Sequence, residues 1–286
     1  MVNTMITKIL APLDGSQTAE AGLLWAEYAA VCSGASIQLL TVVDEPPSKL
    51  NGRRKRIEAY LSSHKNHLKR KGVSAEFTLV KGSPAECILT QAKDADITAV
   101  TSGTTRWLIS PVLDEVLTYM TRPTVVVRGA PNETPVIPNA DKMLVALDQT
   151  EASLHILPAA LKVARALRSS IVLCHTIEPI GGYREAAGAP PGVARLLDHL
   201  RGAADAFLSQ AARLIEKERI AVEMVVTVGE ASQEIVRTAD RAGAGIVAMA
   251  TRGRDGLESR LMGSVANSVL HSTRLPCLLI RQNSSS

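Results

Sequence analysis

The sequence predicts an α/β protein built as two doubly wound, five-stranded parallel-sheet domains in tandem. Three observations carry this reading. Short aliphatic runs alternate with segments of helical spacing, the whole series occurs twice in the same order, and the apolar residues are aliphatic instead of aromatic. Of 286 residues, 46% are hydrophobic but only 3% are aromatic, which suits strands buried on both faces of a parallel sheet. A charged fraction of 21% is ordinary for globular chains and excludes wholesale disorder. The length is that of about two domains.

The elements follow in order. The first strand, Lys8 to Asp14, recurs as Lys142 to Asp148, each an apolar run ending in Asp. Leu23, Leu24, Ala26, Glu27 and Ala30 then show helical spacing, with Ser16 as the expected N-cap. The second strand, Ile37 to Val43, is matched by Ile171 to Ile177, and an acid follows both (Asp44, Glu178). The third is signalled by Val80 to Pro84 and by Val228 to Ala231, the fourth by Ile97 to Thr101 and Ile246 to Thr251. The fifth is Arg122 to Arg128, matched by Leu275 to Arg281. In the C-terminal half, Leu196, Leu200, Phe207, Leu208, Ala211 and Leu214 recur at threes and fours, predicting a long helix. Strand–helix–strand repetition implies right-handed crossovers and an open sheet in each half. Gly129 to Pro138 holds three prolines and cannot sustain helix or central strand, so the domains are placed at residues 1–130 and 140–286.

Composition narrows the partners. No apolar run approaches the roughly 18 to 20 residues needed to cross a bilayer, so no membrane is expected, and the opening residues, Met1 to Lys8, lack the layout of a signal peptide. Cys32, Cys87, Cys174 and Cys277 are widely separated and read as reduced, buried thiols of a cytoplasmic protein. The net charge of +4 decides nothing about partners, and the few aromatics argue against nucleic acid gripped by base stacking. Residues 49–71 hold nine Lys or Arg and one acid, Glu58; the run reads as a solvated helix face in preference to a nucleic-acid contact. Residues 179–193 are rich in Gly and Pro and aperiodic, which fits either a mobile flap over a ligand or a tolerated surface insertion. His64 and His67 have no acid or Cys cluster in sequence to make a metal site, and His175, inside a strand, reads as a core histidine.

In open parallel sheets, ligands bind beyond the carboxyl ends of the strands where strand order reverses. Asp148 ends the first strand of the C-terminal half, and after the fourth come Ala250, Thr251, Arg252, Gly253, Gly256 and then Gly263-Ser264 at the start of a helix. The glycines let backbone N–H groups approach an anion closely. The helix start adds unpaired N–H groups and the positive end of its dipole, and the Ser264 hydroxyl can donate once more. Arg252, Arg254 and Arg260 add charge. Asp148 suits a base amine or ribose hydroxyl; its bland alternative is a helix cap. Asp255 and Glu258 could meet an ATP-borne Mg²⁺, though solvated loop acids are the commoner outcome.

These residues resemble the universal stress protein family, one such domain in each half. Its nucleotide-binding members share G-x(2)-G-x(9)-G-[S/T]; here the pattern reads Ala250-x(2)-Gly253-x(9)-Gly263-Ser264, with Ala250 in place of the first glycine. Asp148, Thr176 and the run Pro276 to Arg281 also fit. The resemblance implies a Rossmann-like, adenine nucleotide alpha hydrolase-like fold. It also implies an adenine nucleotide, ATP foremost, held by Ala146, Leu147, Asp148, Thr176, Ala250, Thr251, Arg252, Gly253, Gly256, Gly263, Ser264 and Val265. It further implies that the two halves pack as an intrachain pseudo-dimer through their last strands, Thr124 to Val127 and Cys277 to Ile280, with a homodimer of chains as a further option.

The N-terminal half departs from the pattern. Gly103 is followed by Ser110 after six residues instead of nine, Pro111 removes an N–H, and Trp107 would crowd the phosphate position. This half is expected to bind no nucleotide in the family manner. No G-x(4)-G-K-[ST] motif is present, and the G-x-G-x-x-A match at Gly243 to Ala248 enters a strand instead of leaving one. With no nucleophile–base–acid set, the expected function is a nucleotide-responsive binding module in a stress response, not an enzyme. The alternatives are a slow ATP hydrolase and a nucleotide-free interaction protein.

Overall fold

A computed structural model describes residues 5–43, 51–103, 110–129, 139–185, 187–252 and 263–282. In the N-terminal half the elements are β1 (Lys8–Pro12), α1 (Glu20–Ser33), β2 (Ser36–Val43), α2 (Asn51–Arg70), β3 (Ala75–Lys81), α3 (Pro84–Ala92), β4 (Ile97–Ser102), α4 (Pro111–Tyr119) and β5 (Thr124–Arg128). The C-terminal half repeats them as β6 (Lys142–Ala146), a 3₁₀ turn (Glu151–His155), α5 (Ile156–Leu167), β7 (Ser170–Ile177), α6 (Pro191–Glu216), β8 (Val222–Val228), α7 (Ala231–Ala242), β9 (Ile246–Arg252), α8 (Ser264–Ser272) and β10 (Cys277–Gln282).

The ten strands form one sheet in the order β3-β2-β1-β4-β5-β10-β9-β6-β7-β8. Within each half every pairing is parallel, as buried aliphatic strands joined by helices require. The order reverses between β1 and β4 and again between β6 and β9, which defines two equivalent switch points. The apolar fifth strands cover each other: β5 and β10 pair antiparallel, with Cys277 opposite Val126 and Leu279 opposite Thr124. The halves thus meet through their last strands, as the resemblance implied, and the two five-stranded sheets continue as a single one whose outer strands are β3 and β8.

One apolar layer runs across both halves, from Trp25, Leu61 and Leu68 to Ile156, Val163 and Leu208. Leu113, Leu117, Ile235 and Val269 pack on the opposite face of the sheet. The halves are also tied by polar contacts. Lys162 of α5 donates to Asp96 at 2.7 Å, and the Arg281 guanidinium donates to the Thr118 carbonyl. The basic helix α2 is amphipathic in a polar sense: Tyr60 donates to Glu20 at 3.0 Å, and His64 and His67 lie 3.3 and 2.9 Å from Glu20 and Glu27. Among the described residues no cluster of His, Cys, Asp and Glu is placed to hold a metal ion, and no helix is long and apolar enough to cross a membrane.

Several local expectations need correction. Ser16 does not cap α1, which starts at Glu20 with Ala19 as N-cap. The Ser16 hydroxyl accepts Ala19 N–H at 3.2 Å and so closes a turn upstream of the helix, because Gly15 (φ 85°) redirects the chain just after β1. The aperiodic segment 179–193 ends early, since α6 begins at Pro191, where a prolyl φ suits the first helical turn. The third strands lie upstream of the turns that signalled them, reaching back to Ala75 and Val222. Of the four thiols, Cys174 and Cys277 are buried, Cys87 is half-buried and Cys32 is exposed at the end of α1. Apart from Gly129, the proline-rich link lies outside the described residues.

Candidate functional site

Asp148 lies two residues beyond the end of β6 and accepts both the N–H (3.1 Å) and the hydroxyl (2.5 Å) of Thr150 on Oδ1. Thr150 in turn caps the 3₁₀ turn by accepting Ser153 N–H at 3.1 Å. The N-cap is thus Thr150 and not Asp148, whose carboxylate is held at the rim by the two Thr150 donors. His175 on β7 is buried and directs Nδ1 at the Leu147 carbonyl, 2.8 Å away. That bond pins the end of β6, and His175 is a satisfied core histidine as expected.

Across the switch point, α8 begins at Ser264 with Gly263 as its N-cap. Gly263 has no side chain to bond the first N–H groups of the helix, whereas the caps of α7 and α4 do. At α7 the Glu230 carboxylate accepts Ser232 and Gln233 N–H at 3.0 and 2.9 Å. At α4 the Ser110 hydroxyl accepts Leu113 N–H at 3.2 Å, and Pro111 at the first helical position has no N–H. Among the described residues no side chain is seen to cap the start of α8, and the helix dipole stands behind it.

Between Asp148 and α8 lies a pocket of about 360 Å³, within the range of small-ligand sites. It gathers Ala146, Leu147, Asp148, Thr176, Ala250, Thr251, Gly263, Ser264 and Val265, nine of the residues named from the family resemblance. Thr176 and Thr227 share a hydrogen bond at 3.0 Å. The Thr251 hydroxyl is committed to the Ile280 carbonyl at 3.2 Å, so Thr251 contributes wall and not a donor. Arg252 closes β9. Gly253, Arg254, Asp255, Gly256, Glu258 and Arg260 lie outside the described residues, as does Trp107 in the other half.

The pocket also takes in Ser153, Cys174, His175, Glu178, Ala231, Ile235, Met249 and Ala266, which the sequence reading did not assign to it. Cys174, His175 and Glu178 could have been found as neighbours of Thr176 at the end of β7. Ala231 and Ile235 carry no signal, because only the crossover brings α7 to this wall. Burial pushes the Cys174 thiol up to about 11, so it lines the pocket as a neutral group. The described lining includes the carboxylates of Asp148 and Glu178 and no Lys or Arg; the positive end facing the pocket is the start of α8.

Comparison with known proteins agrees with this architecture. The model of the universal stress protein family matches residues 5–128 and again 139–281. The chain belongs to the universal stress protein family. Universal stress protein YxiE of Bacillus subtilis is 25% identical over 146 residues, which span 99% of YxiE and 49% of this chain. One such protein therefore corresponds to one half here. A universal stress protein from Archaeoglobus fulgidus superposes with a TM-score of 0.72 at 18% identity, covering 96% of this chain and 98% of its own. A putative universal stress protein from Pseudomonas aeruginosa gives 0.68 at 17% identity, with coverage of 97% and 94%. At these identities the structures establish the shared tandem fold.

Proposed function

We propose that the C-terminal half of this universal stress protein binds an adenine nucleotide, ATP foremost, and that the protein acts as a nucleotide-responsive binding module. One observation carries the reading: α8 starts at an N-cap without a side chain and faces, across a pocket, a carboxylate already fixed in position. The N–H groups of Ser264, Val265 and Ala266 and the Ser264 hydroxyl would take phosphate oxygens. Asp148 would accept from a ribose hydroxyl or the base amine, and the apolar wall of Ile235, Met249 and Ala250 would cover a flat ring. ATP would supply the phosphates that these groups recognise.

Hydrogen bonds to charged groups are worth about 1.5–3 kcal/mol each, and three or four of them, net of ordering, correspond to binding on the order of micromolar. At a ligand concentration about 1,000 times the dissociation constant, the nucleotide would stabilise the fold by about 4 kcal/mol. A thermal melt with millimolar ATP is expected to show a clear rise. Gly263→Glu is expected to abolish that rise while leaving the ligand-free protein folded. Gly263 has φ −51° and ψ 142°, which any residue adopts, and Glu230 shows that a glutamate at this position caps a helix in this fold. No rise in the parent protein would end the proposal.

A further inference from the structure

The second switch point, in the N-terminal half, carries a pocket of its own, of about 520 Å³. It is larger than the C-terminal one and more apolar. The register of β1 on β2 and of β6 on β7 makes Leu40 the counterpart of Cys174 and Val42 that of Thr176. The helix behind it contributes Pro84 and Ile88 where α7 has Ala231 and Ile235. The anion-binding elements are withdrawn: Pro111 and the Ser110 cap occupy the start of α4, and no Lys, Arg or His is among the described lining residues. Asp14, whose Oδ1 accepts Ser16 N–H at 2.8 Å, sets a negative charge at the rim.

We infer that this N-terminal pocket binds an uncharged small molecule with an apolar body, a ring system or short hydrocarbon, whose polar end donates a hydrogen bond toward Asp14. The argument is one of complementarity. Among the described residues, a phosphate or carboxylate would meet Asp14 with no Lys, Arg or His to offset the repulsion, at a helix start already capped by Ser110. An apolar hollow of this size in contact with water is unfavourable, and a ligand that removes its aliphatic wall from solvent gains from the hydrophobic effect. The inference does not depend on what occupies the C-terminal half. The chain would then pair two pockets of opposite ligand chemistry on one sheet.

The test titrates the full chain with N-phenyl-1-naphthylamine, an uncharged apolar fluorophore, and with the anionic 8-anilinonaphthalene-1-sulfonate. Expected are saturable one-to-one binding of the neutral dye and at least tenfold weaker binding of the anionic one at the same site. Saturating ATP is expected to leave the neutral dye bound. Val112→Trp, at a half-buried position in the first turn of α4, and Val42→Asp, on the facing sheet, are each expected to weaken the dye at least tenfold, with folding checked by circular dichroism. Absence of saturable binding, preference for the anionic dye, displacement by ATP, or unchanged affinity in a folded variant would each overturn the inference. The first three outcomes are read on the parent protein and need no variant to fold.

Discussion

Asp96, in the turn before β4, is where the two halves hold each other by charge, and replacing it by Asn tests how much that contact contributes. Its Oδ2 accepts the N–H and hydroxyl of Thr7, both at 2.8 Å, while Oδ1 receives the Lys162 ammonium from the other half at 2.7 Å. Burial works against the charge, but the Lys162 ammonium and the two Thr7 donors outweigh it and hold the carboxyl at about 2 instead of 3.8. At about 1.4 kcal/mol for each pH unit, that difference corresponds to about 2.5 kcal/mol. The two side chains are still 18% and 19% exposed, and solvent screening brings the expected contribution to about 1–2 kcal/mol. Because the folded value lies below the unfolded one, this stability is fully present above about pH 4 and is lost as pH falls toward 2. Urea denaturation should place Asp96→Asn about 1–2 kcal/mol below the parent at pH 7, with the gap shrinking to less than half by pH 2.5. Lys162→Met should lose a similar amount, and the double variant little more than either single one. A variant as stable as the parent at pH 7, or a gap that does not change with pH, would refute the reasoning.

Other outcomes follow from single contacts. Gly245→Ala places a Cβ 2.2 Å from the Asn139 carbonyl oxygen and 2.7 Å from the Ala140 Cα, both backbone, so a loss of about 2–4 kcal/mol is expected in the same denaturation assay. Glu230→Ala removes the N-cap of α7 and should cost about 1 kcal/mol. Although desolvation raises the Glu230 pKa, donors on Ser232 and Gln233 outweigh it and lower the value, so the penalty should fade as acid protonates the parent. Iodoacetamide at neutral pH should label Cys32 in the native chain, whereas burial, which lifts Cys174 to about 11 and Cys277 to about 12, keeps those thiols unreactive until urea is added. Peptide mass spectrometry reads both states.

Much of this was legible in the amino-acid order because it is local. Aliphatic runs ending in Asp, repeated 134 residues apart at Lys8 and Lys142, mark β1 and β6, since a buried parallel strand needs a continuous apolar segment whatever surrounds it. Gly263-Ser264 marked the start of α8 and Pro111 the altered start of α4, because helix ends obey rules of one or two residues. What depends on distant neighbours was not legible. Cys32 and Cys174 are the same residue type in apolar surroundings, and only the docking of a helix or strand decides which faces water. Ser16 was displaced from the α1 cap by the turn at Gly15, and Ala231 and Ile235 reach the pocket only through the crossover that lays α7 against β7.

By itself, the sequence determined the strand and helix content, the duplication and the chain segments that end at each switch point, since these follow from nearest-neighbour chemistry along the chain. The tertiary structure alone decided the antiparallel register of β5 on β10 that makes one sheet, that Lys162 meets Asp96 across the halves, and which side chains line each of the two equivalent pockets. Each of these depends on groups tens of residues apart coming within a few ångströms. Burial and electrostatics are set by such approaches, and they have no counterpart in the order of residues.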